Sequence, residues 1–463
     1  MSEPRIVIVG AGPAGTRAAE TFVRHGLRPT VLDEAPRSGG QIYRRQPASF
    51  RRPARAVYGF EAGRAEALHA AFDALAGRID HRPETLVWTL RDGTVHALPA
   101  MGGQSQAFPY DALVLATGAC DRVIPFPGWT TAGVYTLGAA QIALKYQGCA
   151  IGDPVVFLGT GPLLYLVAYQ YAKAGAKVAA VLDTTSFGTK LAALGRMLAV
   201  PQAFLKGVYY LGWLRSHGVA IHEGVVPVRA EGTAAVTALV WRGADGAERR
   251  TECTAVGFGY GLQSETQLAD LAGCSFAYED HSRQWLPEAD GDGRSDVTGV
   301  YLAGDGRRVR GADFAEMGGE LAALAALKDL GRTVPEPRMA ELRRGLDRGL
   351  RWGVAMQTVF PVPHHFVAGL PPETVLCRCE GVTVGDARHA VTGLDAKEIN
   401  RAKALSRIGM GRCQGRYCGL TAATVLAETA GAAPDAAMRL RGQAPVKPVP
   451  LVRQEPATRE GGA

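Results

Sequence analysis

Gly10-Ala11-Gly12-Pro13-Ala14-Gly15 is the most informative stretch near the start of this sequence. It follows a β-branched run from Arg5 to Val9 and opens a segment with helical periodicity, Gly15 to His25. Another strand-like run, Thr30 to Leu32, comes next. The order of strand, glycine loop, helix and strand predicts a βαβ unit of the mononucleotide-binding type.

The glycines of this loop have separate physical tasks. Gly10 permits the tight turn, Gly12 lets backbone amides approach a pyrophosphate, and Gly15 lets the helix lie close to the strand. Asp33 ends the second strand at the distance where a carboxylate accepts hydrogen bonds from ribose hydroxyls, and Glu34 is the less favoured substitute. These residues are candidate ligands of a dinucleotide.

A second loop of this kind, Gly159-Thr160-Gly161-Pro162-Leu163-Leu164, follows the strand-like run Val155 to Leu158. Leu164 stands where the packing glycine is expected, and its bulk is expected to push the helix away from the strand. Gly159, Gly161 and Asp183 are candidate ligands of a second adenine nucleotide. Because no arginine cluster follows Asp183, NAD(H) fits better than NADP(H).

Two further apolar strands, Ala112 to Ala116 and Gly299 to Ala303, are expected to return to the first sheet. The chain is therefore predicted to be an α/β protein with two Rossmann-like domains, the second inserted in the first. The predicted division is residues 1–120 with 298–332, the insert 121–297, a Pro-rich helical linker 333–372, a small α-helical cysteine-bearing domain 373–430 and an extended tail 431–463.

Composition and charge argue against several classes of protein, including nucleic-acid-binding and membrane-spanning ones. The chain has 463 residues, 47% hydrophobic and 21% charged, which is typical of a globular protein with several domains. The net charge of +7 is not gathered into long basic runs, so nucleic-acid binding is not expected. No signal-like stretch precedes the first strand, and the most apolar segment, Gly161 to Ala172, is too short to cross a bilayer. A cytoplasmic protein without a transmembrane segment is expected.

Four of the eight cysteines form two close pairs, Cys377 with Cys379 and Cys413 with Cys418. Four thiolates suffice for one [2Fe-2S] cluster, which is the favoured hypothesis. A structural zinc site and free thiols remain alternatives, although the one-residue gap of the first pair is unlike common zinc sites. No Cys-x-x-Cys occurs, so disulfide reduction is not expected. No convincing catalytic acid or base is found.

The N-terminal motifs together resemble the flavoproteins with two dinucleotide-binding domains, of the glutathione reductase and thioredoxin reductase type. The resemblance rests on the first glycine loop, Gly39-Gly40-Gln41, Leu115-Ala116-Thr117-Gly118 and Leu302-Ala303-Gly304-Asp305-Gly306. It implies FAD as the cofactor. It also implies that Gly40, Gln41, Thr117, Gly118 and Gly304 lie around the flavin nucleotide, and that Asp305 contacts its ribityl or pyrophosphate region.

The stretches Cys377-Arg378-Cys379-Glu380-Gly381-Val382-Thr383 and Gly409 to Gly419 resemble the bacterioferritin-associated-ferredoxin-like [2Fe-2S] domain, with all four ligand positions filled. The combination of domains, together with Gly257 to Ser264, resembles the α subunits of heteromeric flavoprotein amine dehydrogenases. That group includes the opine oxidase A subunits, the L-proline and D-hydroxyproline dehydrogenase α subunits, and one of the hydrogen cyanide synthase subunits.

This second resemblance implies an electron-transfer subunit. A separate β subunit of the amino-acid-oxidase type would hold another FAD and oxidise a C–N bond of an amino acid, opine or secondary amine. A small ferredoxin-like γ subunit is implied as well, together with an interface flavin (FMN). Two other hypotheses remain open: a self-sufficient NADH-dependent flavin and iron-sulfur reductase, and a redox-sensing or scaffold protein whose cluster is structural.

Overall fold

The structure is a computed structural model that describes residues 3–198 and 201–450. Its helices are α1 Pro13–Arg24, α2 Ala54–Tyr58, α3 Ala62–Asp73, α4 Leu137–Ile142, α5 Pro162–Lys173, α6 Phe187–Ala192, α7 Leu194–Leu198, α8 Pro201–Ser216, α9 Gln267–Leu271, α10 Ala312–Asp329, α11 Glu336–Val359, α12 Val384–Thr392, α13 Ile399–Ser406 and α14 Gly419–Thr429. Its strands are β1 Ile6–Val9, β2 Thr30–Leu32, β3 Asp80–Arg82, β4 Thr85–Arg91, β5 Thr94–Pro99, β6 Gln106–Pro109, β7 Ala112–Leu115, β8 Ala119–Asp121, β9 Val134–Thr136, β10 Val155–Thr160, β11 Val178–Asp183, β12 Ala220–Glu223, β13 Val226–Glu231, β14 Ala238–Arg242, β15 Glu248–Glu252, β16 Ala255–Tyr260, β17 Leu262–Ser264, β18 Phe276–Glu279, β19 Gln284–Pro287, β20 Val300–Leu302, β21 Val375–Cys377 and β22 Val382–Thr383.

The first sheet has five parallel strands in the order β20-β7-β1-β2-β3. Strand β1 reads Ile-Val-Ile-Val and is buried throughout, as expected of a strand covered on both faces. The strands that end at Thr117-Gly118 and at Gly304-Asp305-Gly306 are neighbours here, with Val300 opposite Leu113. All four candidate loops of the first nucleotide site therefore meet at or beside the carboxyl edge of this sheet.

The second sheet also has five parallel strands, in the order β12-β11-β10-β16-β9. The predicted α/β class with parallel sheets is confirmed. Two three-stranded antiparallel sheets, β4-β5-β6 and β13-β14-β15, accompany the parallel sheets. Strands β17 and β8 pair antiparallel, with Gln263 opposite Cys120. The chain leaves the first sheet through β8 and leaves the second sheet through β17, so these two connections lie side by side.

The C-terminal segment combines a short hairpin, β21 and β22, with helices α12, α13 and α14. A capping box starts α12, in which Thr383 and Asp386 bond each other's backbone amides. Its apolar core is continuous with that of the second sheet. Across this contact Trp129 Nε1 donates to Val375 O (2.6 Å) and Thr421 Oγ1 donates to Val123 O (2.7 Å).

The predicted tail turns back onto the first domain. Val446 is fully buried, and its amide donates to Trp88 O at 3.0 Å. Lys447 Nζ lies 2.7 Å from a carboxylate oxygen of Glu34. Residues 451–463 of the predicted tail lie outside the described residues. Across the described residues, none of the helices combines the length and apolarity needed to span a bilayer.

Helices α1 and α10 approach each other closely because of one glycine. A Cβ atom on Gly319 would lie 2.0 Å from the carbonyl oxygen of Ala14, which real Cβ atoms do not tolerate. Helix α1 is also held against its own strand, since a Cβ on Gly15 would lie 1.8 Å from Gly10 O. These contacts hold the helix that begins directly after the first glycine loop.

We expect Gly319→Ala to destabilise the protein by about 1–3 kcal/mol, because the two helices must separate to admit the methyl group. Gly353→Ala is the matched control, since a Cβ on this α11 glycine meets nothing within 4 Å. The control is expected to be neutral or to stabilise by up to about 1 kcal/mol through helix propensity. Denaturant unfolding measures both, and equal effects would contradict the packing argument.

Candidate functional site

The first glycine loop is shaped by close backbone contacts. Gly10 has φ of 103°, a conformation that favours glycine, and a Cβ there would lie 2.4 Å from Ala116 O. The Gly15 contact with Gly10 O brings the start of α1 onto the loop. Helix α1 begins with Pro13 after Gly12, so its free amides face the carboxyl edge of the sheet. An anionic group would be stabilised there.

The Gly39-Gly40-Gln41 turn lies directly on this loop. Gly39 N donates to Ala11 O at 2.9 Å, and a Cβ on Gly40 would lie 3.0 Å from Gly12 Cα. Gly40 has φ of 62°. Gln41 is exposed and its side-chain oxygen accepts from Arg44. The Gly39-Gly40 turn and the first glycine loop therefore pack directly against each other, which side chains at Gly12 and Gly40 would hinder.

The two acidic candidates after β2 differ in their partners. Asp33 is 9% exposed, and its carboxylate accepts from the amides of Ala11 and Ala35. Burial raises the pKa of Asp33. Burial also opposes ionisation of Glu34, but the ammonium of Lys447 outweighs it and lowers the pKa of Glu34. Asp33 therefore lies against the glycine loop, and Glu34 holds the tail.

Thr117, Gly118, Gly304 and Asp305 lie beside this loop. A Cβ on Gly304 would lie 2.8 Å from Ala14 Cβ, and one on the neighbouring Gly306 would lie 2.4 Å from Thr117 Oγ1. Asp305 Oδ1 accepts from the amides of Arg310 and Gly311 at 2.9 and 3.1 Å. Burial raises the pKa of Asp305. The structure thus brings the sequence-predicted residues of the first site together.

Positive charge accumulates beside Asp305. Burial, together with the neighbouring Arg308 and Arg307, lowers the pKa of Arg310 to about 10. Arg308 pairs with Glu279 at 2.8 Å, whereas Arg310 donates to Leu346 O and its buried Nε has no partner among the described residues. The free amides of α1 and the Arg310 guanidinium fit the pyrophosphate of a dinucleotide such as FAD.

The second glycine loop is built differently. Gly159 has φ of 138°, and a Cβ there would lie 1.8 Å from Gly259 O on β16. Gly161 has φ of 100°. Leu164 is fully buried and packs in the core of the second domain. The third position of this loop therefore contributes to the packing of the core.

Asp183, the expected ribose ligand of this second fold, is fully enclosed by its own chain. Its carboxylate accepts from Tyr165 OH (2.6 Å) and from the amide of Thr185 (2.8 Å), and it pairs with Lys190 (2.6 Å). Lys190 also pairs with Glu223 at 2.8 Å. Burial and the Asp183 carboxylate raise the pKa of Tyr165. A ribose would have to displace these partners, so the arrangement does not fit NAD(H) at Asp183.

The four paired cysteines lie close enough for their thiols to shift one another's pKa. Within residues 3–198 and 201–450, no group of three or more His, Cys, Asp or Glu side chains forms a ready metal site. The iron-sulfur cluster therefore stays a prediction. The chemistry of its donors fits, since four thiols are gathered and all are free of disulfides.

Backbone amides also point at these sulfurs. The Cys418 thiol, together with the amides of Gly409 and Glu380, lowers the pKa of Cys377 to about 6 against the effect of burial. Such donors stabilise thiolates, which are the metal-binding form. Cys418 is the N-cap of α14, so its sulfur lies at the end of the helix where negative charge is stabilised.

Cys413 shares this environment. The Cys418 thiol lowers the pKa of Cys413 to about 5, with help from the amides of Tyr417 and Gly415. The pKa of Cys418 is raised well above its usual value, because its proton is shared with the thiols of Cys377 and Cys413 and because it is buried. The quartet therefore has the electrostatics of a site for anionic sulfur.

Sequence reasoning missed the residues that connect the cysteine loop to the first site. Arg416, between Cys413 and Cys418, pairs with Glu265, and both side chains are 11% exposed. The carbonyl of Glu265 in turn accepts from Thr117 Oγ1 at 2.6 Å. These residues carry no recognisable motif, because their partners lie about 150 positions away in the sequence.

This chain is similar to known proteins in both sequence and structure. The sequence profile described as pyridine nucleotide-disulphide oxidoreductase matches residues 4–326. The chain is 39% identical to the opine oxidase A subunit of Rhizobium meliloti, over 96% of this chain and 86% of that protein. It is 34% identical to hydrogen cyanide synthase subunit HcnB of Pseudomonas aeruginosa, over 89% and 90% of the two chains. The crystal structure of L-proline dehydrogenase from P. horikoshii superposes with a TM-score of 0.73 at 18% identity, covering 97% of this chain and 79% of that one.

We expect Lys190→Met to destabilise the protein by about 3 kcal/mol, because it leaves the buried Asp183 carboxylate without its cation. Adding Asp183→Asn should recover a large part of this loss, since the uncompensated charge is then removed. Denaturant unfolding of the single and double variants measures both effects. A Lys190→Met variant as stable as the parent protein would contradict a structural role for this network.

Proposed function

Because the chain belongs to the pyridine nucleotide-disulphide oxidoreductase family, and within it to the group of opine oxidase A subunits and HcnB, we propose that it is the electron-transfer subunit of a heteromeric dehydrogenase. The chain is an FAD-dependent oxidoreductase subunit. The substrate of the proposed complex is an amino acid, an opine or another secondary amine, oxidised at its C–N bond. That oxidation takes place in an amino-acid-oxidase-like β subunit with its own FAD.

FAD is proposed to bind at the first glycine loop. The ligands are Gly10, Gly12, Gly15, Asp33, Gly40, Gln41, Thr117, Gly118, Gly304 and Asp305. The argument for them is their convergence at the carboxyl edge of the first sheet, beside the free amides of α1 and beside Arg310, whose buried Nε has no partner among the described residues. Within this site the amides at the start of α1 and the arginines would neutralise the pyrophosphate, and Asp33 would orient the ribose.

A [2Fe-2S] cluster is proposed to bind Cys377, Cys379, Cys413 and Cys418. Four free thiols gathered in one small segment, with amide donors around two of them, support iron and also leave zinc as the alternative metal. Flavin accepts electrons in pairs and can release them singly, whereas the cluster carries one electron at a time. The pair would therefore convert a two-electron oxidation in the partner subunit into single-electron transfer.

The observation that carries this proposal is the contact between the cysteine loop and the first site. Arg416 of that loop bonds Glu265, which bonds Thr117 beside the glycine loop. Redox cofactors bound at two sites joined in this way would favour an electron relay over a structural cluster. The enclosed Asp183 argues against the alternative of a self-sufficient NADH-dependent reductase. An interface FMN and a ferredoxin-like γ subunit remain further parts of the proposal.

Purification from the native host, with absorbance spectroscopy and cofactor extraction, tests this proposal. We expect a second flavoprotein chain to co-purify, and we expect an amine substrate to bleach the flavin band only when that partner is present. NADH added to this chain alone should leave the flavin oxidised. Rapid bleaching by NADH without a partner would favour the reductase, and the absence of any flavin turnover would favour a sensor or scaffold.

We expect Cys413→Ser to abolish iron binding and the visible absorbance of the cluster while FAD remains bound, because the two sites use separate residues. Cys149→Ser is the matched control, since Cys149 is an exposed free thiol outside both sites. Iron assay and flavin extraction measure the outcome. Loss of FAD together with iron would show that the cysteine domain and the flavin site are not separate units.

A further inference from the structure

Three polar side chains of one short segment bind the loop between Cys413 and Cys418. Gln263 Nε2 donates to Arg416 O, and Gln267 Nε2 donates to Gln414 O at 2.6 Å. Between them, the Glu265 carboxylate accepts from the Arg416 guanidinium through two nitrogens. Gln263 lies in β17, Gln267 is the first residue of α9, and Glu265 lies in the short connection between them. The two glutamines therefore bind backbone carbonyls of the loop, and Glu265 binds the guanidinium of Arg416, the one buried cation of the loop.

The backbone of the same segment bonds the turn of the proposed flavin site. Glu265 N donates to Gly118 O at 3.0 Å, and Thr117 Oγ1 donates to Glu265 O at 2.6 Å. Gln263 is also paired with Cys120 across β17 and β8. One residue, Glu265, thus contacts the flavin turn through its main chain and the cysteine loop through its side chain.

The Arg416–Glu265 pair is desolvated, since both side chains are 11% exposed. Arg416 also donates to Cys413 O (3.2 Å) and to Val446 O (2.6 Å), so nearly all of its hydrogen-bonding capacity is used. Burying such a pair yields little net stability against apolar residues of the same size, but it fixes one arrangement because either charge alone is costly to bury. We therefore expect the Arg416–Glu265 pair to fix the position of the loop rather than to add much stability.

We propose that segment 263–267, through the Arg416–Glu265 pair, is the positioning element that fixes the iron-sulfur loop against the flavin turn and thereby sets the rate of electron transfer between the two cofactors. This inference rests on the proposed function. In the transfer, one electron leaves the reduced flavin and enters the oxidised cluster, and the flavin proton passes to solvent. Glu265 and Arg416 carry neither the electron nor the proton.

The physical reason is the steep distance dependence of electron tunnelling. A small displacement of the loop lengthens the gap without removing either cofactor. Because the rate falls exponentially with the length of the gap, we expect a several-fold loss here. The ligands of both cofactors are untouched, so a change in their reduction potentials would come from the lost Glu265 charge and is measured separately.

Glu265→Gln tests the inference in the full chain with both cofactors bound. The flavin is reduced by a light pulse, and rapid-freeze electron paramagnetic resonance follows the signal of the reduced cluster. Hydrogen exchange of the amides of residues 413–418 is measured on the same protein. We expect FAD and iron contents like those of the parent protein, slower reduction of the cluster, and faster exchange in the loop.

Glu320→Gln is the matched control, because this carboxylate, 12% exposed, pairs with Arg338 at 2.7 Å in the first domain and not with the cysteine loop. It should leave both the transfer rate and the exchange of the loop unchanged. If Glu265→Gln does not fold, Arg416→Lys replaces it, since lysine keeps the charge but cannot form the two-nitrogen contact. The same two readouts are expected to change.

The outcomes separate this inference from the proposed function. Parent protein that contains no iron, or that contains zinc, overturns the proposed function and the inference with it. Parent protein with both cofactors, combined with a Glu265→Gln variant that matches it in transfer rate and loop exchange, overturns the inference alone. A slower rate caused by shifted reduction potentials, with unchanged exchange, also overturns the positioning role.

Discussion

The absence of side chains at a few glycines is the constraint on which the rest of this structure depends. Without a Cβ at Gly10, Gly15 or Gly319, helix α1 can lie against its own strand on one side and against α10 on the other. That placement aims the free amides of α1 at the carboxyl edge of the first sheet. Strands from the two ends of the domain then deliver Thr117 and Asp305 to the same edge. The candidate flavin site is a consequence of this backbone packing.

The two glycine loops of the chain show that one motif can have two outcomes. At the first loop, the terminal acid Asp33 accepts hydrogen bonds from the backbone amides of Ala11 and Ala35. At the second, Asp183 is satisfied by Tyr165, Thr185 and Lys190 within its own domain. A carboxylate with such strong internal partners stabilises the fold rather than a ligand, because a buried charge is costly to strip of its counter-charge.

The C-terminal cysteine segment packs against both of the other domains. Its core is continuous with that of the second domain, its loop is bonded to segment 263–267, and the chain beyond it returns to the first domain at Val446. Arg416 contacts Cys413, Glu265 and Val446, so one guanidinium joins three parts of the chain. The proposed electron relay follows from this convergence rather than from either cofactor motif alone.

Local patterns in the sequence were enough for the α/β class, for strands β1, β2, β7, β10 and β20 of the parallel sheets, and for the residues gathered at the first glycine loop. These features depend on short-range rules: hydrophobic periodicity, the conformational freedom of glycine and the position of a residue at the end of a strand. The partners of Asp183 and the bonds from Gln263, Glu265 and Gln267 to the cysteine loop could not be foreseen. These bonds join residues that come close only when separate elements pack together. The sequence around Tyr165 or Glu265 contains no local pattern from which its partner could be predicted.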